Sequence, residues 1–390
     1  MTTTKNNEHK KLNVPNLRFP EFLGEWEKQK LCDVSSIVGR IGFRGYTTND
    51  IVEKGMGAIA LSPTNIVNNQ LTYDKENTYI SMSKYEESPE IMIKRGDVIF
   101  VKTGSTVGKV AYVDKMICKT TLNPQVVVLK DIKCDNYILS VIMSTRNFQN
   151  KIQRITVGGA VPTLSQVAMG NIFISLPAAK EQEKISKFIS LLDERIATQN
   201  KIIDKLQSLI KGIRHDIFKD IQGEVLTLSN IADIYQPQTI SSSDLTSEGY
   251  WVYGANGIIG KYKEYNHETE QICITCRGNT CGTVNYTQPK VWITGNSMVI
   301  NTDKYQRQVH KRFLFHYLSS YNFKSIVSGS GQPQIVRTPL EKIKVVLPTI
   351  EKQVRIANSI DIVSEKINTE SSVLRLLENQ KQYLLRQMFI

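Results

Sequence analysis

A chain of 390 residues with a formal net charge of +12 has room for two cored domains and favours a polyanionic partner. No apolar run reaches the length of a membrane span, and the opening MTTTKNNEHKKLNVPN lacks the apolar core of a secretory signal. A soluble cytoplasmic protein with its six cysteines reduced is expected.

In chain order, residues 1–15 read as a flexible polar tail. Residues 16–177 form a first front, rich in short strand-like runs such as DVIFVKTGS, GKVAYV and PQVVVL, followed by a helical pattern at NYILSVIMSTRNFQNKI. Residues 178–221 read as one long helix. Residues 222–348 form a second front with QICITCRGN, TVNYT and NSMVINT, then a helical pattern at RFLFHYLSSYNFKSI. Residues 349–390 read as a second long helix.

The two halves are copies. LPAAKEQEKI at Leu176 returns as LPTIEKQVRI at Leu347, an offset of 171 that holds from Gly158/Gly329 to Phe218/Phe389 without a gap. Upstream, TGSTVGKVAYV at Thr103 matches RGNTCGTVNYT at Arg277 with an offset of 174, so one loop differs in length. A period this long is not a solenoid repeat but two domains of one type. The expected fold class is α+β: two similar α/β domains separated by two long antiparallel coiled-coil helices, with a pseudo-two-fold internal repeat.

Each long helix carries a stripe spaced 4, 3, 4, 3, which is a heptad seam. In the first it is Ile185, Ile189, Leu192, Ile196, Gln199, Ile203, Leu206 and Ile210. In the second it is Ile356, Ile360, Val363, Ile367, Glu370, Leu374, Leu377 and Leu384. The polar breaks Gln199 and Glu370 stand 171 apart and are expected at a shared level. A helix of about 40 residues spans roughly 60 Å, so the pair would act as a rod.

The Gly turns carry Ser105, Thr106, Asn279 and Thr280 at their tips, with Lys102, Lys109 and Arg277 beside them. Such groups suit base edges and phosphates, and they equally suit a turn. YGANGIIGKY supplies Tyr253 and Asn256 in a second polar loop, while VGGAVPTL and GSGQPQI lie just before the rods, where Gly and Pro would aim the chain. GSTVGKV is not a phosphate-binding P-loop: three residues separate its glycines, and Val110 follows Lys109. Cys273, Cys276 and Cys281 cluster, but QICITC is strand-like and no fourth ligand sits at zinc spacing, so no metal is assigned. No amino-methyltransferase motif, GxGxxG turn or HExxH is present, and no polar constellation beyond the turn residues recurs in both halves, which favours binding over catalysis.

RFPEFLGEWEKQKLCDV at Arg18–Val34, YGANGIIGKY, TGSTVGKVAYV and the two LPxxxxQ segments resemble the specificity subunits of type I restriction–modification enzymes, over nearly the whole chain. The resemblance implies two target-recognition domains, each reading one half of a split double-stranded DNA site. It implies that the rods act as a ruler and dock two modification (methyltransferase) subunits, with restriction subunits joining in the full complex. This chain would be non-catalytic and without a cofactor, S-adenosylmethionine lying in the modification subunit and ATP with Mg in the restriction subunit. The rival reading is a stand-alone DNA-binding regulator, which would bind its site unaided.

Overall fold

The computed structural model describes residues 12–73, 76–255, 257–329 and 331–390, so most of the expected tail lies outside the described residues. The expected tail is too long at its inner end. Asn13 is buried, donating to the Trp26 carbonyl (2.5 Å) and accepting from Ser175 (3.0 Å), because it closes polar groups that the short sheet beneath it would leave open.

The chain divides into two compact units. The first runs to Ala197 and includes Arg375–Ile390; the second is Thr198–Leu374. Each long helix, Ala179–Lys219 and Ile350–Met388, contributes to both.

The first unit is built on a six-stranded sheet in the order Ser36–Gly39, Val126–Lys130, Val98–Val101, Val110–Tyr112, Gln70–Leu71, Ile66–Val67. Val98–Val101 and Val126–Lys130 pair antiparallel and alternate strictly. Val98, Phe100, Val127 and Leu129 fill the core shared with the helices, while Ile99, Val101, Val126 and Val128 fill a second core beneath a four-stranded sheet. Both faces are covered, which is why these strands read as unbroken apolar runs.

The second unit repeats the plan with fewer strands. Asp233–Tyr235, Ser297–Asn301, Ile272–Thr275 and Val284–Tyr286 form a four-stranded sheet, and Gly257–Tyr262, Tyr250–Gly254 and Trp292–Ile293 a three-stranded one. Ile272, Ile274, Met298 and Ile300 face the helical core, and Cys273 and Val299 the other. Cys273 is thus a strand residue packed as a small apolar group, its thiol pushed up to about 12 by burial. Burial also raises the Cys276 and Cys281 thiols, and no metal-binding group of three ligands exists among the described residues.

Every seam position is buried or half-buried. In the first unit Ile185 and Ile189 share a core with Leu384, Leu385, Met388 and Phe389, and Asp193 pairs with Lys381. Numbers rise on one helix as they fall on the other, so the helices run antiparallel there. In the second unit Gln199 donates to the Glu370 backbone carbonyl (3.0 Å) and to its carboxylate. The two polar breaks therefore satisfy each other, as a polar seam position must.

The glutamines of the two LPxxxxQ segments explain why that segment is duplicated. Gln182 donates to the Pro177 carbonyl (2.8 Å) and accepts from the Asp135 N–H (2.8 Å). Gln353 donates to the carbonyls of Pro348 and Gln308 (both 2.9 Å) and accepts from the His310 N–H (2.8 Å). Both are buried. Each ties the first turn of a long helix to the residue before a short one, Asn136–Ser144 or Lys311–Ser320.

Candidate nucleic-acid interface

In each unit three loops are zipped together by backbone hydrogen bonds in the same pattern. In the first, Lys102 N–H donates to Gln125 (2.9 Å), Gly104 N–H to Pro162 (2.9 Å) and Leu164 N–H to Lys102 (2.8 Å). In the second, Cys276 N–H donates to Asn296 (3.0 Å), Gly278 N–H to Pro333 (2.9 Å) and Ile335 N–H to Cys276 (3.0 Å). The turn glycines Gly104 (φ 103°) and Gly278 (φ 82°) both lie in the left-handed half of backbone space that favours glycine. The loops before the rods do more than aim the chain: each folds back as a small hairpin, Val157 bridging Thr163 and Ser328 bridging Gln334, and braces the Gly turn. Gly158 and Gly329 are needed there, since a Cβ would lie 2.7 Å from the Val161 carbonyl and 2.5 Å from that of Gln332.

The tips present short polar and cationic groups to solvent. Ser105 and Lys109 are exposed, with Lys102 and Thr106 half-buried behind them. Arg277, Asn279 and Thr280 are exposed on the second turn. Lys109 reaches across to the Ile66 carbonyl (3.3 Å), tying the turn to a neighbouring hairpin. Asn256 lies outside the described residues. Tyr253 does not belong to this face: it is 8% exposed and packs with Cys273, Val291, Ile293 and Val299. Val252, which points to the opposite face, is buried as well, so the strand is covered on both sides there; the register skips Ile259, which places the β-bulge on the partner strand Gly257–Tyr262. The neighbouring tip still reaches the site, because Thr275 donates to the Ala255 carbonyl and Ser297 to that of Gly254 (3.3 Å).

The face also includes residues that motif reading passed over. Gln125 and Asn296, exposed and joined to the strand before each Gly turn, occupy matching places. Their signal in the sequence is slight, since LNPQV and TGNSM share only their position relative to the turns. The hairpin Ile66–Leu71 was also missed, because its second strand opens on Gln70 and its apex lacks the glycine that marks the usual two-residue turn.

A duplicated α/β unit with polar loop tips, attached to paired heptad helices, defines a class of two-headed recognition proteins. The family model for the type I restriction modification DNA specificity domain matches residues 24–208 and again 221–379. The chain belongs to this family. The "Putative type I restriction enzyme MjaX specificity subunit" of Methanocaldococcus jannaschii is 25% identical over 97% of this chain and 96% of its own length. The MjaVIII specificity subunit of the same organism is 25% identical over 76% and 79%. The EcoprrI specificity subunit of Escherichia coli is 27% identical over 40% of each chain. The crystal structure of a type I restriction-modification S subunit from M. genitalium has the same fold, with a TM-score of 0.64 at 17% identity, covering 97% of this chain and 99% of that one.

Proposed function

We propose that this chain is the DNA-specificity subunit of a type I restriction–modification complex, each unit reading one half of a bipartite double-stranded site. The observation that carries the reading is the three-loop face, built twice with the same backbone bonds on the two family-matched segments. Lys102, Lys109 and Arg277 engage phosphates, and the short polar tips of Ser105, Thr106, Asn279 and Thr280 read base edges. The excess of cationic charge makes binding fall with salt. The paired helices set the number of unread base pairs between the halves. No helix among the described residues is long and apolar enough to cross a membrane.

The chemistry comes from partners. Two modification subunits bring S-adenosylmethionine and methylate an adenine turned out of the stack, while restriction subunits bring ATP and Mg. Each unit leaves apolar side chains open on its helices for such docking: Leu191, Leu376 and Tyr383 in the first, Ile202, Leu209 and Ile362 in the second. Ile362 and Leu376 fall on the same heptad position of the second helix, one in each unit, so each unit offers the same helix edge to its own partner. Leu376→Asp should lower the complex to one modification subunit, and so should Ile362→Asp. Native mass spectrometry counts them, and two subunits retained in both variants would refute this docking face.

The central test is expression with the modification partner in a host lacking adenine methylation, followed by single-molecule sequencing. A split motif with one fixed gap is expected. A continuous short motif, or specific binding by the chain alone, would replace this reading with that of a stand-alone regulator.

A further inference from the structure

The hairpin Ile66–Leu71 has a two-residue turn: Ile66 pairs with Leu71 and Val67 with Gln70, leaving Asn68 (φ 50°) and Asn69 (φ 60°) at its apex. Two positive φ values in succession make it a turn of the primed type, whose twist suits a ribbon. Asn68, Asn69 and Gln70 are all exposed, and among the described residues none of their amides has a partner. The base, by contrast, is rigid. Asn65 is buried, donating to the Thr72 carbonyl (3.1 Å) and to Asn77 (2.7 Å) while accepting from the Ser62 N–H (2.9 Å). The hairpin adjoins the first Gly turn: Lys109 holds the Ile66 carbonyl, and Gln70 pairs with Tyr112 on the strand leaving that turn.

Turn formation accounts for the two asparagines but not for Gln70, and the turn alone would favour glycine at its second apex position. Three adjacent open amides on a stiff two-stranded ribbon match another requirement. The major groove admits such a ribbon, and Asn or Gln pairs with adenine through both N6 and N7.

We propose that Ile66–Leu71 enters the major groove of the first half-site and reads an adenine through its amide tip. This rests on the DNA-specificity reading above and names the element and base class within it. The second unit has the exposed pair Ile258–Ile259 near its own turn instead, so the effect should be confined to one half of the target.

The decisive variant is N68G/N69G/Q70T. Glycine keeps both positive φ values, and threonine keeps the strand, so the turn survives while the amides go. Expressed with the modification partner, it should relax one A·T position of one half-site, discrimination there falling roughly tenfold or more, with the gap and the other half unchanged. A methylated motif identical to that of the unsubstituted chain would overturn the proposal. Should the variant complex assemble but not methylate, gel-shift competition decides: lost discrimination in the first half alone supports it, and discrimination retained there or lost equally in both halves overturns it. If the unsubstituted chain itself yields no split motif, the broader reading fails, and that result is visible before any variant is made.

Discussion

In mild acid the second unit should come apart before the first. Among the described residues every histidine lies in the second unit, and two of them are buried and neutral. Burial lowers His316 to about 4, an effect that the charges of Arg214 and Arg312 reinforce and the hydrogen bond to Asp361 opposes. Its tautomer is dictated by its neighbours. Arg214 can only donate, so Nδ1 accepts (3.0 Å), and Nε2–H donates to the Asp361 carboxylate (2.8 Å). A proton added at Nδ1 would face the Arg214 N–H with no acceptor between them. His267, stacked on Tyr235 and bonded to its hydroxyl (2.9 Å), is likewise lowered to about 4, chiefly by burial.

A folded pKa of about 4 against an unfolded value near 6.5 means that the unfolded chain binds the extra proton first. Stability is therefore fully present above pH 6.5 and is lost as pH falls towards 4. Each group contributes on the order of 3 kcal/mol over that span. Asp361, held below the ordinary carboxylate range because bonds from Arg312 and His316 outweigh its burial, adds a further loss at lower pH. Asp97 in the first unit is raised by burial and so gains stability as acid protonates it. Tryptophan reports the two units separately, since Trp26 lies in the first and Trp251 and Trp292 in the second. Urea melts of W26F should weaken steeply between pH 7 and 5, while those of W251F/W292F change little. H316Q should flatten the W26F slope; an unaltered slope would remove His316 as its source.

What could be read from the sequence follows from how local each signal is. The rods were legible because a heptad is periodic over many turns, and even the shared level of Gln199 and Glu370 was written in the offset of 171. The paired strands of each core were legible as apolar runs. The loop faces were only partly so. Gly104 and Gly278 announce turns, but the bonds to Pro162 and Pro333 join segments far apart in sequence and leave no local trace. Tyr253 misled because its strand is covered on both faces at that point, Val252 being buried beside it, and nothing local distinguishes an aromatic in such a strand from one at a loop tip. The amide tip at Asn68–Gln70 was passed over because it has no counterpart of like composition in the second half, and repeat matching weights only what recurs.

If the rods act as the proposed ruler, Gln353 and Gln182 are where fold and ruler meet, so their loss should be felt in both. Gln353→Ala strands the His310 N–H and removes the donor that serves the Gln308 and Pro348 carbonyls, which costs about 3 kcal/mol in a buried setting. For a unit of this size the melting point of the second unit should drop by roughly 6–12 °C. Gln182→Ala should do the same to the first. The cause can be separated from simple loss of packing with Gln182→Glu, in the unit whose described residues include no histidine to confuse the pH response. Glutamate keeps the acceptor for the Asp135 N–H but turns the group facing the Pro177 carbonyl from donor to repelling oxygen. Its destabilisation should be severe at pH 7 and partly relieved near pH 5, where a protonated carboxyl can donate again; equal damage at both values would mean that shape, not hydrogen bonding, is what Gln182 supplies. Because each glutamine fixes the start of a rod to its loop-bearing unit, either alanine variant, assayed below its lowered melting point with the modification partner, should also methylate sites whose gap differs by one base pair. Methylation still confined to a single gap would show that the rods keep their measure without these staples.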